Sequence, residues 1–573
     1  MWKKIENYYW TIKYLKKSQL YHLVKNRLDG EKHAVTEAQA PAEKPLPLWM
    51  EELDHAPAYR NRFDTEEILN GQVTLLYESG APGGHNWEHP SRSHLWNFNL
   101  HYMEFLIPLA AAYRREKNNR YYHCFRDYCR RWMEDNREGT GDGWHPYTIS
   151  LRLTNLWICM DGFGEIFQED RAFRQELNDS MYAQYAHLKK KQELHLLGNH
   201  YFENLKTLFL GSLYFRQPEA AKIYGKKFRE EMKEQILPDG VHYERSLMYH
   251  KIILEDLLRV AKAVRTEEQP AWEDPEGFRQ ELERAMRQMA DAAWSLERGM
   301  GQTPLFNDAG DNVARPLDSL LDSLKTEFGI VPEQKTQFPQ AGYYCLEQGR
   351  IRINLDAGEM APPHMPGHAH CDGLSFELSL DGKPLFVNSG TGQYQGQLRS
   401  YFRSTAAHNT VVMAREEQSR CWGEHRVGRR ISVVSGACGE RWAEGRLTTC
   451  TGRQQKRRVA FQEPRTAAWE AEGGRREQQC LQVFDWAEGY ARAYFHLAPG
   501  YEYFQEGQKV LVRPKGEETV VCEIQTSRTD EVRIWTEGEI CSYAPEFGRM
   551  ETVQVLEIAW DSAGGRHEIK MHF

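Results

Sequence analysis

"GHAHCDGLSFELSLDGKPLFVNSG", residues 367–390, is where the chain changes its hydrophobic period. Leu374, Phe376, Leu378 and Leu380 alternate with polar residues, the two-residue repeat of a half-buried strand. Asp381-Gly382 stands where a tight hairpin turn belongs, and "KPLFV" reads as the returning strand. Ahead of it, His368, His370 and Asp372 crowd into five residues. Such a group holds a metal, moves protons or decorates a loop, and the spacing leaves all three open. Alternate residues of a strand share a face, so the three point together if the strand starts early.

Upstream, from about residue 90 to 330, the pattern is helical. "NHYFENLKTLFLGSLYF" puts Phe202, Leu205, Leu208, Phe209 and Leu213 on one stripe, and "YHKIILEDLLRVAKAV" does the same with Tyr249, Ile252, Ile253, Leu257 and Val260. No repeat of fixed length runs through it, which disfavours a stacked solenoid and leaves an irregular ring or bundle of helical hairpins. After about 335, "YYCLEQGRIRINLDAG", "HNTVVM", "KVLVRPKGEETVVCEIQT" and "EVRIWTEGEI" read as strands between Gly and Asp turns. The chain is therefore expected to be an α+β multidomain protein. An N-terminal helical segment and linker spans 1–90, a helical domain 91–335 and an antiparallel β domain 336–573. A cleft between the two large halves is the natural ligand position.

With 573 residues, 40% apolar and 27% charged, the composition is that of a globular chain of two or three domains. The net charge of −9 argues against nucleic acid but not against a polyanion held in a local basic cleft. Eleven cysteines without a C-x-x-C pair suggest neither a disulfide framework nor a zinc finger, and fit a reducing compartment. No apolar run is long enough for a transmembrane span. "MWKKIENYYWTIKYLKKSQLYHLVKNRL" has no uninterrupted apolar core of a secretory signal, so a cytoplasmic location is expected. That basic, aromatic stretch reads first as a helix packed on the body and second as a peripheral membrane contact. Residues 30–50, rich in Pro, Ala and charge, read as a linker.

Four clusters carry chemistry. "GNHYFEN" brings Asn199, His200 and Glu203 to a helix start, where Asn199 also suits a cap. "DGVHYERSLMYH" places Tyr249 in a helix's first turn, its hydroxyl within reach of a cleft. The third cluster is the opening stretch, whose imidazoles and carboxylate suit zinc or a similar ion. "RSYFRSTAAHNTVV" offers Arg399, Tyr401, Arg403, His408 and Asn409, and paired guanidinium groups suit a carboxylated or sulfated ligand. Glycine-rich phosphate loops and a G-x-S-x-G elbow are missing from the sequence, which sets nucleotide chemistry and serine hydrolysis aside.

In this order on an α-then-β chain, these clusters resemble the heparinase II/III-like polysaccharide lyases. The resemblance covers roughly residues 90–420. It rests on "FNLHYMEFL", "SLRLTNLW", "GNHYFEN", "DGVHYERSLMYH", "HAHCDGLSFEL", "GTGQY" and "YFRSTAAHNTV". It implies an incomplete (α/α) toroid followed by antiparallel β-sheets of a sandwich, and β-elimination at a uronic acid of an anionic polysaccharide, heparan sulfate or heparin first. By resemblance, Asn199 and His200 neutralise the substrate carboxyl and Tyr249 protonates the departing oxygen; the C5 proton goes to Tyr249 as well when it lies on the same side as that oxygen, and to His368 when it lies on the opposite face, with Glu203 orienting His200. Arg152, Asn155 and Arg403 are further substrate contacts. His370, Asn388 and His408 map to the family's zinc ligands; Asn388 stands where an Asp is usual, which leaves the metal open. Three rivals remain. One is a glycoside hydrolase using Glu203, Glu244, Asp308 or Asp311. Another is a mononuclear-metal oxygenase, and the third a non-catalytic polysaccharide-binding protein.

Overall fold

The computed structural model describes residues 2–29, 39–54, 62–462 and 479–573. Two helices, α1 (Trp2–Tyr14) and α2 (Lys17–Asp29), lead the chain. The helical half follows with α3 (His94–Tyr102), α4 (Ile107–Glu116), α5 (Asn119–Asp135), α6 (Pro146–Phe163) and α7 (Arg171–Lys190). It is completed by α8 (Gly198–Tyr214), α9 (Pro218–Gln235), α10 (Leu247–Arg265), α11 (Pro275–Glu297) and α12 (Leu317–Phe328). Their starts are set by local chemistry. Proline occupies the first turn of α4, α6, α9 and α11, where its missing N–H is no loss. Ser93, Asn118, Asp170 and Ser246 each accept a backbone N–H at the cap of α3, α5, α7 and α10.

The packing order explains the shape. α4, α6, α8 and α10 touch one another in succession, and α5, α7, α9 and α11 lie outside them against their chain neighbours. This two-layered curve is an incomplete (α/α) toroid. α8, in the inner layer, is buried on nearly every face, whereas α9 turns charged residues to solvent. None of the described helices is long and apolar enough to cross a membrane.

The stretch expected to be a linker behaves differently over its described part. Residues 39–54 run along the toroid, with Leu46, Leu48, Trp49 and Met50 buried in the same core. The Trp49 N–H donates to Asp161 at 2.6 Å, and Lys262 and Arg259 donate to the Trp49 and Leu48 carbonyls. Proline and charge set the composition of this segment, but its apolar residues decide where it lies. Residues 30–38 fall outside the described residues.

Two large sheets dominate the second half. The first contains β1 (Gln337–Phe338), β2 (Tyr343–Gln348), β3 (Ile351–Asp356), β4 (Phe376–Leu380) and β5 (Lys383–Phe386), antiparallel in that order. Leu380 pairs with Lys383 across Asp381 (φ 52) and Gly382 (φ 72), the two positive φ values of a type I′ turn. The second sheet is ten-stranded and built around a long antiparallel pair, Cys480–His496 against Val555–His572. Val483, Ala491 and Ile558 from it share one core with Ile353, Phe376 and Leu378 of the first, so the sheets form a sandwich. β4 begins only at Phe376, so His368, His370 and Asp372 lie in the loop before it and not on one strand face.

One buried ion pair ties this loop to the second sheet. Arg457 and Asp485, both fully buried, bond in two parallel contacts of 2.8 and 2.9 Å. The Arg457 Nη1 also donates to the carbonyls of Leu374 and Asn409, next to the histidine-bearing segments. Removing one partner leaves a buried charge uncompensated. Asp485→Ala is expected to lower stability by about 3–5 kcal/mol, measured by denaturant unfolding.

Candidate active site

The two halves meet at Asp308, in the segment between α11 and α12. Its backbone is clamped first: the Ser246 hydroxyl, which caps α10, donates to the Asp308 carbonyl at 2.6 Å, and the Asp308 N–H donates to the His368 carbonyl at 2.9 Å. Its fully buried carboxylate accepts from His368 Nδ1 at 2.9 Å, His370 Nε2 at 2.8 Å, Arg399 Nη2 at 2.8 Å and Thr391 Oγ1 at 3.2 Å. Burial raises a carboxyl pKa. Here the Arg399 charge and the two imidazole contacts more than offset it and hold Asp308 well below the usual range.

Above this anchor opens a cavity of ≈ 460 Å³ between toroid and sandwich. The toroid contributes Tyr102, Tyr147, His200 and Tyr249, and the sandwich contributes His368, Tyr394 and His425. The Tyr249 and His368 rings lie 4.3 Å apart between centroids. The Tyr249 and Tyr394 hydroxyls share a hydrogen bond of 2.6 Å. Burial first, then neighbouring Tyr394, Tyr147 and Asp308, hold Tyr249 far above the ordinary phenol value, so it stands protonated at neutral pH. His368 directs Nδ1–H to an ionised carboxylate, which leaves Nε2 as its free ring nitrogen. The helix cap that places Tyr249 and the carboxylate that orients His368 thus belong to one network.

His200 is the third functional group. Its Nδ1 bonds Glu193 at 2.9 Å, its ring stacks 4.3 Å from Tyr147, and Nε2 is the ring nitrogen left for a ligand. Burial opposes the charged imidazole, but the Glu193 carboxylate, by charge and hydrogen bond, more than offsets it and raises the pKa.

Several expected roles need correction. Glu203 does not orient His200; it bonds Lys206, which also donates to Asp256 at 2.6 Å. The Asn199 amide is committed to both oxygens of Glu244, at 3.0 and 3.1 Å, and does not line the cavity. Arg152 is buried over the Trp132 ring and donates to the carbonyls of His101 and Gly143. Arg403 is likewise buried, donating to the carbonyls of Ala369 and Glu424. Both arginines brace loops and touch no cleft. Asn155 does line the cavity, with its amide donating to the Tyr102 carbonyl. Of the carboxylates a hydrolase would need, Asp308 is sealed under Arg399, Glu244 holds Asn199 and Asp311 accepts the Thr303 N–H. Glu203, which lines the cavity, is neutralised by Lys206.

The residues mapped to a metal do not fit one. His370 Nδ1 and His408 Nε2 approach to 3.1 Å, but the Asn388 carbonyl oxygen already accepts the Asn409 N–H at 3.1 Å and brings no charge. Among the described residues, no three His, Cys, Asp or Glu side chains are grouped to hold a metal. Asp372 is turned away to accept the Asn307 N–H at 2.9 Å.

Glu193, Tyr394 and His425 carry no role in the sequence reading. Tyr394 ends the quoted "GTGQY" motif, which offered a signal. Glu193 precedes His200 by seven residues across a turn, which offered none.

Two sequence profiles cover most of the chain: Heparinase II/III N-terminus over residues 62–336, and Heparinase II/III-like, C-terminal, over 331–571. The chain belongs to the heparinase II/III-like family. Similar proteins include a heparin-sulfate lyase of Bacteroides thetaiotaomicron, 22% identical over 419 residues, covering 63% of this chain and 58% of that protein. Another is a heparin-sulfate lyase of Pedobacter heparinus, 24% identical over 362 residues, covering 57% and 53%. The match thus spans less than two thirds of either relative. A crystal structure of heparinase III aligns with TM-score 0.64 and 17% identity, covering 94% of this chain and 87% of that one. That likeness supports the toroid-plus-sandwich fold.

The Glu193 contact is testable apart from any activity. In an NMR titration, Glu193→Gln is expected to lower the His200 pKa, because the anion that favours imidazolium is gone while burial remains. An unchanged midpoint refutes the pairing.

Proposed function

We propose that this chain is a polysaccharide lyase that cleaves a uronic-acid-containing glycosaminoglycan of the heparan sulfate type by β-elimination. The observation that carries the reading is the meeting of Tyr249 and His368, from opposite halves of the fold, in the lining of one cavity with ring centroids 4.3 Å apart. The membership of the family and the names of its relatives supply the substrate class.

Each group has a step. The His200 imidazolium sits against the uronate carboxylate and stabilises the charge that builds there as C5 loses its proton. Preorganised donors at a developing anion are each worth about 3 kcal/mol. His368 Nε2 takes the C5 proton, the C4–C5 double bond forms, and the C4–O4 bond breaks. Tyr249 gives its hydroxyl proton to the departing O4, and Tyr394, hydrogen-bonded to it, lies on the route for reprotonation. Water takes no part. No metal enters any of these steps.

The cleft also suggests which chains enter. Among the described residues, every Lys or Arg lining it is already committed to an acid: Arg62 to Glu104 at 3.0 Å, Lys206 to Glu203 and Asp256, Arg259 to Glu255, and Arg315 to Glu52. A sulfate would have to break one of these pairs. Unsulfated or sparsely sulfated uronate segments are therefore the favoured substrate.

The test is ultraviolet absorbance of the conjugated uronate end, which a hydrolase does not create. Tyr249→Phe and His368→Ala are each expected to lower kcat by about 10²–10⁴-fold with the fold retained. Full activity in both variants rules out these roles. A higher kcat/KM on heparan sulfate of low sulfation than on heparin is expected; the reverse order rules out the charge argument.

A further inference from the structure

The first two helices are seated on the body largely through polar groups and leave apolar side chains outside. α1 turns polar groups to the body: the Thr11 hydroxyl donates to the Val427 carbonyl at 3.1 Å, and Glu6 pairs with Arg420 at 3.1 Å and Arg429 at 2.9 Å. α2 does the same, with buried Gln19 donating to the carbonyls of His364 and Leu196 at 3.2 and 3.3 Å. Tyr8, Trp10 and Tyr14 also meet the body, against Trp422, Arg429 and Arg430, but a further set of apolar side chains faces solvent. Ile5, Tyr9 and Ile12 are 54%, 59% and 49% exposed at i, i+4, i+7 spacing, and Tyr21, Val24 and Leu28 are 63%, 60% and 80% exposed at i, i+3, i+7. With Tyr8 and Leu23, these are eight of the sixteen large hydrophobic side chains exposed among the described residues, gathered on two adjoining helices. Burial on this protein's own core does not explain such stripes, because the helices are already seated by their other faces.

The charge around the stripes identifies what covers them. Residues 2–29 carry seven Lys or Arg (Lys3, Lys4, Lys13, Lys16, Lys17, Lys25, Arg27) against Glu6 and Asp29, on a chain whose net charge is −9. Glu6 is neutralised by its two arginines, while Lys4, Lys13, Lys17 and Lys25 are exposed. A second copy would bring two such basic faces together, and a soluble polyanion would have no use for Ile5, Val24 and Leu28. A surface with both an apolar layer and negative headgroups satisfies both features. We propose that α1 and α2 dock the protein in the plane of an anionic lipid bilayer, with the apolar stripes in the headgroup boundary and the lysines on the headgroups. The loop between the two strands that seat α1, Cys421–Trp422 and Arg426–Val427, carries His425 into the catalytic cavity, so docking holds the cleft beside the membrane surface.

Flotation of the full chain with vesicles tests this. Binding is expected to phosphatidylglycerol–phosphatidylcholine vesicles and not to phosphatidylcholine alone, and to weaken as salt is raised. Tyr9→Ser with Val24→Ser and Leu28→Ser is expected to abolish it without shifting thermal unfolding, because all three side chains are exposed. Lys4→Glu, Lys13→Glu, Lys17→Glu and Lys25→Glu together are expected to weaken it by roughly a hundredfold or more. Absence of binding to either vesicle overturns the proposal, as does equal binding to both. A dimer in lipid-free solution that the serine substitutions dissociate assigns the face to a second copy instead, and likewise overturns it.

Discussion

A fully buried carboxylate, Asp308, holds the catalytic arrangement together. Taking an ionised carboxyl out of water is expensive, and an isolated one would be protonated instead. Asp308 avoids this by gathering a guanidinium, two imidazoles and a hydroxyl around two oxygen atoms. Those partners come from two stretches of the sandwich half, the His368–His370 loop and the Thr391–Arg399 segment, while Asp308 itself is fastened by its backbone to the cap of α10. Satisfying this one charge therefore fixes the relation of Tyr249 to His368. The domain junction and the active site are the same set of hydrogen bonds.

The same anchor accounts for how the chain manages where the family's metal ligands lie. His408 directs Nδ1–H to the Ser404 carbonyl at 2.8 Å, and His370 reaches Asp308 through Nε2. The two rings then face each other between anchored ends, and burial pushes both to about 4, so both are neutral at physiological pH. Asn388, whose carbonyl is taken by a backbone N–H, adds no anion to draw a cation in. The loop beneath His368 is braced instead by Arg399, Arg403 and Asp308.

The architecture was legible because it rests on periodicity. The switch from a 3.6-residue to a two-residue repeat, the Asp381-Gly382 turn and the first-turn position of Tyr249 are local signals, and local signals survive in one sequence. Tyr249 and His368 could be named for the same reason, each lying in a dense polar motif. Burial is not local, and the arginines show it. Arg152, Arg399 and Arg403 look like anion binders in the sequence, yet all three are buried, two capping carbonyls and one gripping Asp308. Glu193 went unseen because its partner His200 is reached only through the turn that opens α8. The Pro-rich stretch misled in the opposite direction: composition suggested a linker, while four apolar side chains sufficed to pin residues 46–50 to the toroid.

Under the proposed elimination, burial also divides the labour between the two catalytic groups. A phenol can serve as base only after losing its proton, and the surroundings of Tyr249 oppose that loss: low polarity first, then a second phenol and a carboxylate nearby. Tyr394 is held high for the same reason and cannot accept the proton as a phenolate either. What the pair can do is donate, because both phenols keep their protons at neutral pH and have one to give as charge builds on the departing oxygen. The imidazole of His368 faces the opposite constraint. Its Nδ1 is committed to Asp308, so Nε2 is the nitrogen it presents to the substrate. The acid accordingly comes from the helical half and the base from the sheets. The substrate has to lie with C5–H toward the sandwich and O4 toward α10, an orientation that the His200 imidazolium, fixed to Glu193 on the toroid side, holds by its grip on the carboxylate.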